Sequence, residues 1–164
     1  MVVLFSGCAA KGALYKDVQT NTLNGKSSIT VFRKKQFTDG GSCYTVYVDE
    51  KSVGVLANGG FIEILLEPGK HIVTIPHING KKLSSEAVLE KNEKYYVEYN
   101  SLVTGVNVIP VGTFVTTNVS FNFALSPVSE NYALGLLKDL RDSSQKVSCM
   151  HRRSYISQTL PLVA

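Results

Sequence analysis

The sequence predicts a mainly β protein: an antiparallel β-sandwich of about seven to eight strands with one C-terminal α-helix. Three observations carry that reading. Short runs rich in Val, Ile, Tyr and Phe alternate with polar residues, Gly and Pro turns separate the runs, and a helical period appears only after residue 126. Composition agrees. Of 164 residues, 44% are hydrophobic and 18% charged, a globular balance in a chain long enough to bury a core without disulfide help.

The elements follow in chain order. "SITVFRK" (28–34) opens the folded part, with Ile29, Val31 and Arg33 at one parity and Thr30 and Phe32 at the other. "DGGS" (39–42) reads as a loop. "CYTVYVD" (43–49) is a strand presenting Tyr44, Val46 and Val48 on one face. "DEKS" (49–52) turns tightly into "VGVL" (53–56), where Gly54 marks a bulge or a close backbone approach. "ANGG" (57–60) turns again, leading to the strand "FIEILLE" (61–67). Pro68 and Gly69 then suit a turn that needs a preset φ followed by a positive one, and "HIVTIPH" (71–77) is the returning partner. Further strands are expected at 84–89, at 94–101 and in "VSFNFAL" (119–125). From 126 to 143 the period becomes helical. Ser126 or Ser129 can cap, Pro127 suits a first turn, Glu130 complements the dipole, and Ala133, Leu136, Leu137 and Leu140 form an apolar stripe. That stripe is expected to pack on the sheet, the alternative being a partner-binding helix. Residues 144–164 show no pattern and are expected to be mobile, or ordered only against a partner.

The start of the chain, "VVLFSGCAAKG" (2–12), places Ser6 and Gly7 before Cys8, with Leu4 and Phe5 supplying apolar character. This resembles a bacterial lipobox, whose small residues let a peptidase cut an extended backbone before a cysteine that carries lipid. Phe5 stands where Leu is usual. Only seven residues precede Cys8, fewer than the roughly 15 to 30 of a secretory leader, so the reading carries the expectation that the natural start lies upstream. The alternative is a buried first strand with an incidental thiol. On the lipobox reading, 1–8 are a remnant signal ending in the lipidation site Cys8, 9–27 a flexible tether, 28–125 the sandwich, 126–143 the helix and 144–164 the tail. Several acyl chains on one residue would hold a membrane firmly where one binds only marginally. Ala9, in place of Asp, implies the outer membrane, facing the periplasm.

"VYVDEKSVGVLANGGFIEILLEPGKHIVTI" (46–75) resembles the core of a family of bacterial lipoprotein domains of unknown function, and also the envelope repeat named for its Pro-Glu-Gly-Ala motif. Both share a Val-Asp hairpin with a Val-Gly pair, then a Pro-Gly-x-His-x-Val run. Asp49 and Gly54 fill the first half, with Glu50 in place of the usual glycine, and Pro68, Gly69, His71 and Val73 fill the second. The resemblance is close over 46–75 and looser over 28–125. It implies a compact envelope sandwich behind a lipid anchor, and says nearly nothing about activity.

Catalytic patterns are missing. There is no CxxC, HExxH or GxSxG, and "NGKSS" (24–28) lacks the earlier glycine of a phosphate loop, where Thr20 stands. No cofactor or metal site is expected. His71 and His77 share a strand parity but lie about 20 Å apart, so His71 reads as a half-buried histidine beside a turn. The net charge of +4 is mild, and "FRKK" (32–35) and "HRR" (151–153) read as solvated loop charges rather than contacts to anionic lipid or nucleic acid. Cys43 and Cys149 would form an even remainder beside a lipidated Cys8; a disulfide is open to them, with two unpaired thiols the preferred expectation. The function expected is a non-enzymatic envelope lipoprotein with a structural or accessory role, held to the membrane through Cys8 and joined to envelope proteins. The alternative is a glycan- or peptidoglycan-binding module whose aromatic platform would be Tyr95, Tyr96 and Tyr99, although the face shared by Tyr95 and Tyr99 suits a core equally.

Overall fold

The computed structural model describes residues 9–15, 23–37, 39–76, 81–111 and 114–144. The protein is mainly β, with nine strands in two sheets and one short helix among the described residues. In order these are β1 (Ser27–Arg33), β2 (Tyr44–Val48), β3 (Lys51–Leu56), β4 (Gly60–Leu66), β5 (Gly69–Pro76), β6 (Lys82–Leu89), β7 (Lys94–Val111), β8 (Phe114–Val128), α1 (Glu130–Leu137) and β9 (Arg141–Asp142). One sheet has the order β8-β7-β1-β4-β9, the other β3-β2-β5-β6. This corrects the hairpin expected between β4 and β5: Pro68 reverses the chain, but β4 pairs with β1 and β5 with β2 and β6, so the connection crosses between sheets. The expected sandwich is present. It departs from the purely antiparallel expectation at β1:β7 and β4:β9, which are parallel. Both pairings join strands far apart in sequence, which local turn signals do not encode.

The two sheets enclose the main core. Ile29, Val31, Ile62 and Val97 of the five-stranded sheet meet Val46, Val48, Val73 and Ile75 of the other. The β2 alternation falls as expected: Tyr44, Val46 and Val48 point inward, while Thr45 and Tyr47 are half-buried. β1 is buried along its whole length. Its central place in the sheet explains this, because its other face, with Phe32, lies under a second core. That core joins Phe32, Phe61 and Tyr96 to Ala133, Leu137 and Leu140. The helical stripe therefore packs on the sheet, as expected. The helix itself is shorter than 126–143: Ser126, Pro127 and Val128 still belong to β8, and Ser129 holds the N-cap position without a side-chain cap bond. Pro127 is tolerated there because β8 is an edge strand.

Gly54 shows why its position excludes a side chain. Its φ is +155°, the β2–β3 register slips between Val46 and Tyr47 opposite it, and an added Cβ would lie 3.1 Å from Ile62 Cδ1.

Residues 9–15 correct the expected tether. Ala9 bridges Asn58, Leu14 bridges Arg141, and Tyr15 is buried edge-on against Phe61 with ring centroids 5.0 Å apart. Three apolar side chains in a short segment, Ala10, Leu14 and Tyr15, are enough to dock it although it has no strand period. The expected signal, 1–8, and the tail beyond Ser144 lie outside the described residues, as does "HRR".

Candidate functional site at the open end of the sandwich

The C-terminal end of β1 closes one mouth of the sandwich with polar groups. Arg33 continues the inward parity of Ile29 and Val31, and its side chain is 0% exposed. This corrects the expectation for "FRKK". Nη1 donates to the Ser42 carbonyl at 2.7 Å, and Nη2 to the Asp39 carbonyl at 2.5 Å and to its Oδ2 at 3.2 Å. The guanidinium also lies against the adjacent Tyr44 and Tyr99 rings, 5.4 and 5.5 Å from their centroids, which are themselves 4.7 Å apart. Burial of a full charge is tolerated because three acceptor contacts and two ring faces replace water. Tyr44 Oη donates to Asp39 Oδ2 at 2.6 Å, and burial followed by that bond pushes its pKa up. Tyr99 is pushed up as well, chiefly by burial.

Lys34, the next residue, points to the other face. It pairs with the buried carboxylate of Glu98 at 3.0 Å, and Tyr132 Oη of α1 donates to the same carboxylate at 3.1 Å. The bond to Glu98 is the main reason the Lys34 pKa is raised. Beyond it, Gln36 and Asn58 exchange reciprocal bonds of 2.8 Å between side chain and backbone. Gln36 Nε2 donates to Asn100 Oδ1 at 3.2 Å, and Ser101 Oγ donates to Gln36 Oε1 at 2.7 Å. Ala10 N–H completes the chain by donating to the Asn58 carbonyl at 3.2 Å. The N-terminal segment, the 34–43 loop, the β3–β4 turn and the start of the β7–β8 hairpin's free part are thus tied together at one end.

A second polar pair joins the two halves of the 46–75 motif. His71 Nδ1 lies 2.7 Å from Asp49 Oδ2, and Nε2 lies 2.8 Å from the Glu67 carbonyl, while Asp49 Oδ1 accepts the Ile72 N–H at 2.9 Å. Both partners of the ring are acceptors, so both ring nitrogens donate and the geometry suits the imidazolium. Burial opposes that charge most strongly, yet the bonds to Asp49 and Glu67 outweigh it and raise the His71 pKa; the same pair lowers that of Asp49. With both nitrogens engaged, the ring has no free nitrogen to offer a substrate. His71 is the half-buried, turn-adjacent residue expected, and it clips the β2–β3 turn to β5.

The three tyrosines do not assemble into a platform. Tyr99 is in the main core, Tyr96 lies under α1 with its pKa raised by burial, and Tyr95 is half-buried against the main core. A neighbour in a strand faces the other way, so Tyr96 is separated from the other two by the sheet. Cys43 corrects another expectation, since it is disulfide-bonded. The other two cysteines, Cys8 and Cys149, lie outside the described residues. Among the described residues, no cluster of three or more His, Cys, Asp or Glu side chains is placed to hold a metal, and no helix is long and apolar enough to cross a membrane.

Compared with known proteins, the chain matches no family model and no curated protein.

Proposed function

We propose that the protein is a non-enzymatic cell-envelope lipoprotein, anchored through Cys8 to the outer membrane on its periplasmic side, with a structural or accessory role among envelope proteins. The observation that carries this reading is the disulfide at Cys43. Disulfides persist in oxidising compartments, which the periplasm is and the cytosol is not. The lipobox-like "LFSGCA" (4–9) and the resemblance of 46–75 to lipoprotein domains support the same placement. The polar ends of the domain support a non-catalytic role: Arg33, Asp39, Lys34, Glu98, Asp49 and His71 are each spent on a neighbour. The glycan-binding alternative loses its platform with Tyr96 and Tyr99 buried.

Metabolic labelling with a fatty-acid probe tests the anchor. The wild-type chain is expected to take up label and sediment with outer membranes, and Cys8→Ser to lose both. Equal labelling of the two forms, or label in neither, contradicts the reading.

A further inference from the structure

β7 and β8 outrun the rest of the sandwich. β7 pairs with β1 only as far as Arg33↔Tyr99, yet it continues against β8 to Val111↔Phe114. About a dozen residues of each strand therefore form a two-stranded ribbon, roughly 40 Å long at strand rise. From Tyr99 to Ser129 the sequence contains no Asp, Glu, Lys, Arg or His. In a chain with 18% charged residues this is a strong local departure. Solvent-facing ribbons ordinarily carry charges, because an uncharged edge invites aggregation.

The base of the ribbon shows how its apolar groups are disposed. Leu102, Val103 and Val106 are 57%, 46% and 57% exposed. Leu102 and Val103 are adjacent in one strand, so they face opposite sides, and both sides present apolar surface. A protein docked on one face would cover only one of them. A lipid interface that surrounds the ribbon covers both. Phe37, fully exposed, lies on the loop tied to this base through the Gln36 bonds to Asn100 and Ser101.

The location is the second, independent observation. Ala9 bridges Asn58, and Asn58 holds Gln36, which holds the ribbon base. The residue that follows Cys8 in sequence thus sits at the same end of the sandwich as the ribbon. We propose that the β7–β8 ribbon and Phe37 lie in the interfacial layer of the phospholipid bilayer to which the chain is anchored; this rests on the lipoprotein reading. The ribbon lies along the bilayer and does not cross it. Its outer strand edges are unpaired among the described strands, and only the hydrated headgroup layer can satisfy such N–H and C=O groups.

The chain has no Trp, so a single introduced Trp is an unambiguous reporter. Val106→Trp, Phe37→Trp and the control Val88→Trp, on an exposed position of β6, would be placed in the lipidated full chain. Each would be measured on vesicles of phosphatidylethanolamine and phosphatidylglycerol, with and without brominated chains. Trp at 106 and at 37 is expected to shift to the blue and to lose about half its intensity to brominated lipid, with Trp at 88 unchanged. Phe37→Trp keeps an exposed aromatic, so it reports even if Val106→Trp folds poorly. Unshifted, unquenched emission from vesicle-bound protein overturns the proposal. So does a blue shift that appears without vesicles and grows with protein concentration, which would identify a second copy as the cover. The same Trp variants on Cys8→Ser, at higher lipid concentration, separate the two readings. A response there with no fatty-acid label on the wild type would retire the anchor and keep the ribbon. Labelled protein with silent Trp probes would do the reverse.

Discussion

At Asp49 and Glu50 the chain reverses with both residues in the left-handed region, at φ 48° and 67°. Val48 pairs with Lys51 directly across them, so this is the two-residue hairpin turn that favours Asp-Gly. Glu50 carries a Cβ where glycine carries none. Glu50→Gly is expected to stabilise the protein by about 0.5–1 kcal/mol in urea titration, relief of strain exceeding the entropy gained by the unfolded chain. Nearby, the His71–Asp49 pair makes stability depend on pH. His71, with its folded pKa raised, contributes fully below its ordinary value near 6.5, and the contribution is lost as pH rises through the raised value. Asp49, lowered, contributes above its ordinary value of about 3.8, and loses that contribution as pH falls through the lowered one. The pair thus stabilises most between about pH 4 and pH 6.5. His71→Gln is expected to cost ~0.5–1 kcal/mol there and less above pH 8, the half-exposed Asp49 keeping the effect small. Arg33 is the opposite case. Arg33→Ala removes a fully buried charge from beside two tyrosines and leaves Asp39 without its cation, so thermal and urea unfolding are expected to show a loss of about 3–5 kcal/mol. Its inward parity was visible in "SITVFRK". Its partners were not, because Asp39 and Ser42 belong to a loop whose fold no period encodes.

The helix is held by what it covers rather than by its caps. Ser129 makes no side-chain cap bond, while Ala133 and Leu137 are fully buried against Phe32, Phe61 and Tyr96. Leu137→Ala is therefore expected to cost about 2–4 kcal/mol, measured by the urea midpoint at constant m-value. Leu136→Ala, on a partly buried position, is expected to cost clearly less. Elements with strong local signals were legible: the stripe of α1, the alternation of β2 and a tight β2–β3 turn, at Asp49–Glu50, lie where the pattern places them, whereas Gly69 and Lys70 already belong to β5 and the chain at 67–68 passes from one sheet to the other. Elements defined by distant partners were not. Nothing local marks β7 as a parallel neighbour of β1, and the 102–126 stretch discloses its nature only through a missing property, charge. The tyrosines of β7 failed as a site for the same reason. An aromatic triplet in a strand is equally a two-faced core, and here a helix on one side and a second sheet on the other decide the matter.

For the molecule as a whole, one end gathers the N-terminal segment, the Arg33 plug, the Phe37 loop and the base of the uncharged ribbon, while the His71–Asp49 clip ties the β2–β3 turn to β5. Reducing the Cys43 disulfide is expected to lower stability by about 2–4 kcal/mol in matched oxidised and reduced unfolding curves. The anchor proposal also constrains that bond. The chain has three cysteines, and a Cys8 sulfur that carries lipid cannot join a disulfide, so the partner of Cys43 within the chain must then be Cys149. One measurement reaches both statements: mass mapping, without reduction, of the protein extracted from membranes. The account predicts an acylated peptide beginning at Cys8, together with a cross-linked peptide pair holding Cys43 and Cys149. An unmodified Cys8 joined to Cys43 would contradict it.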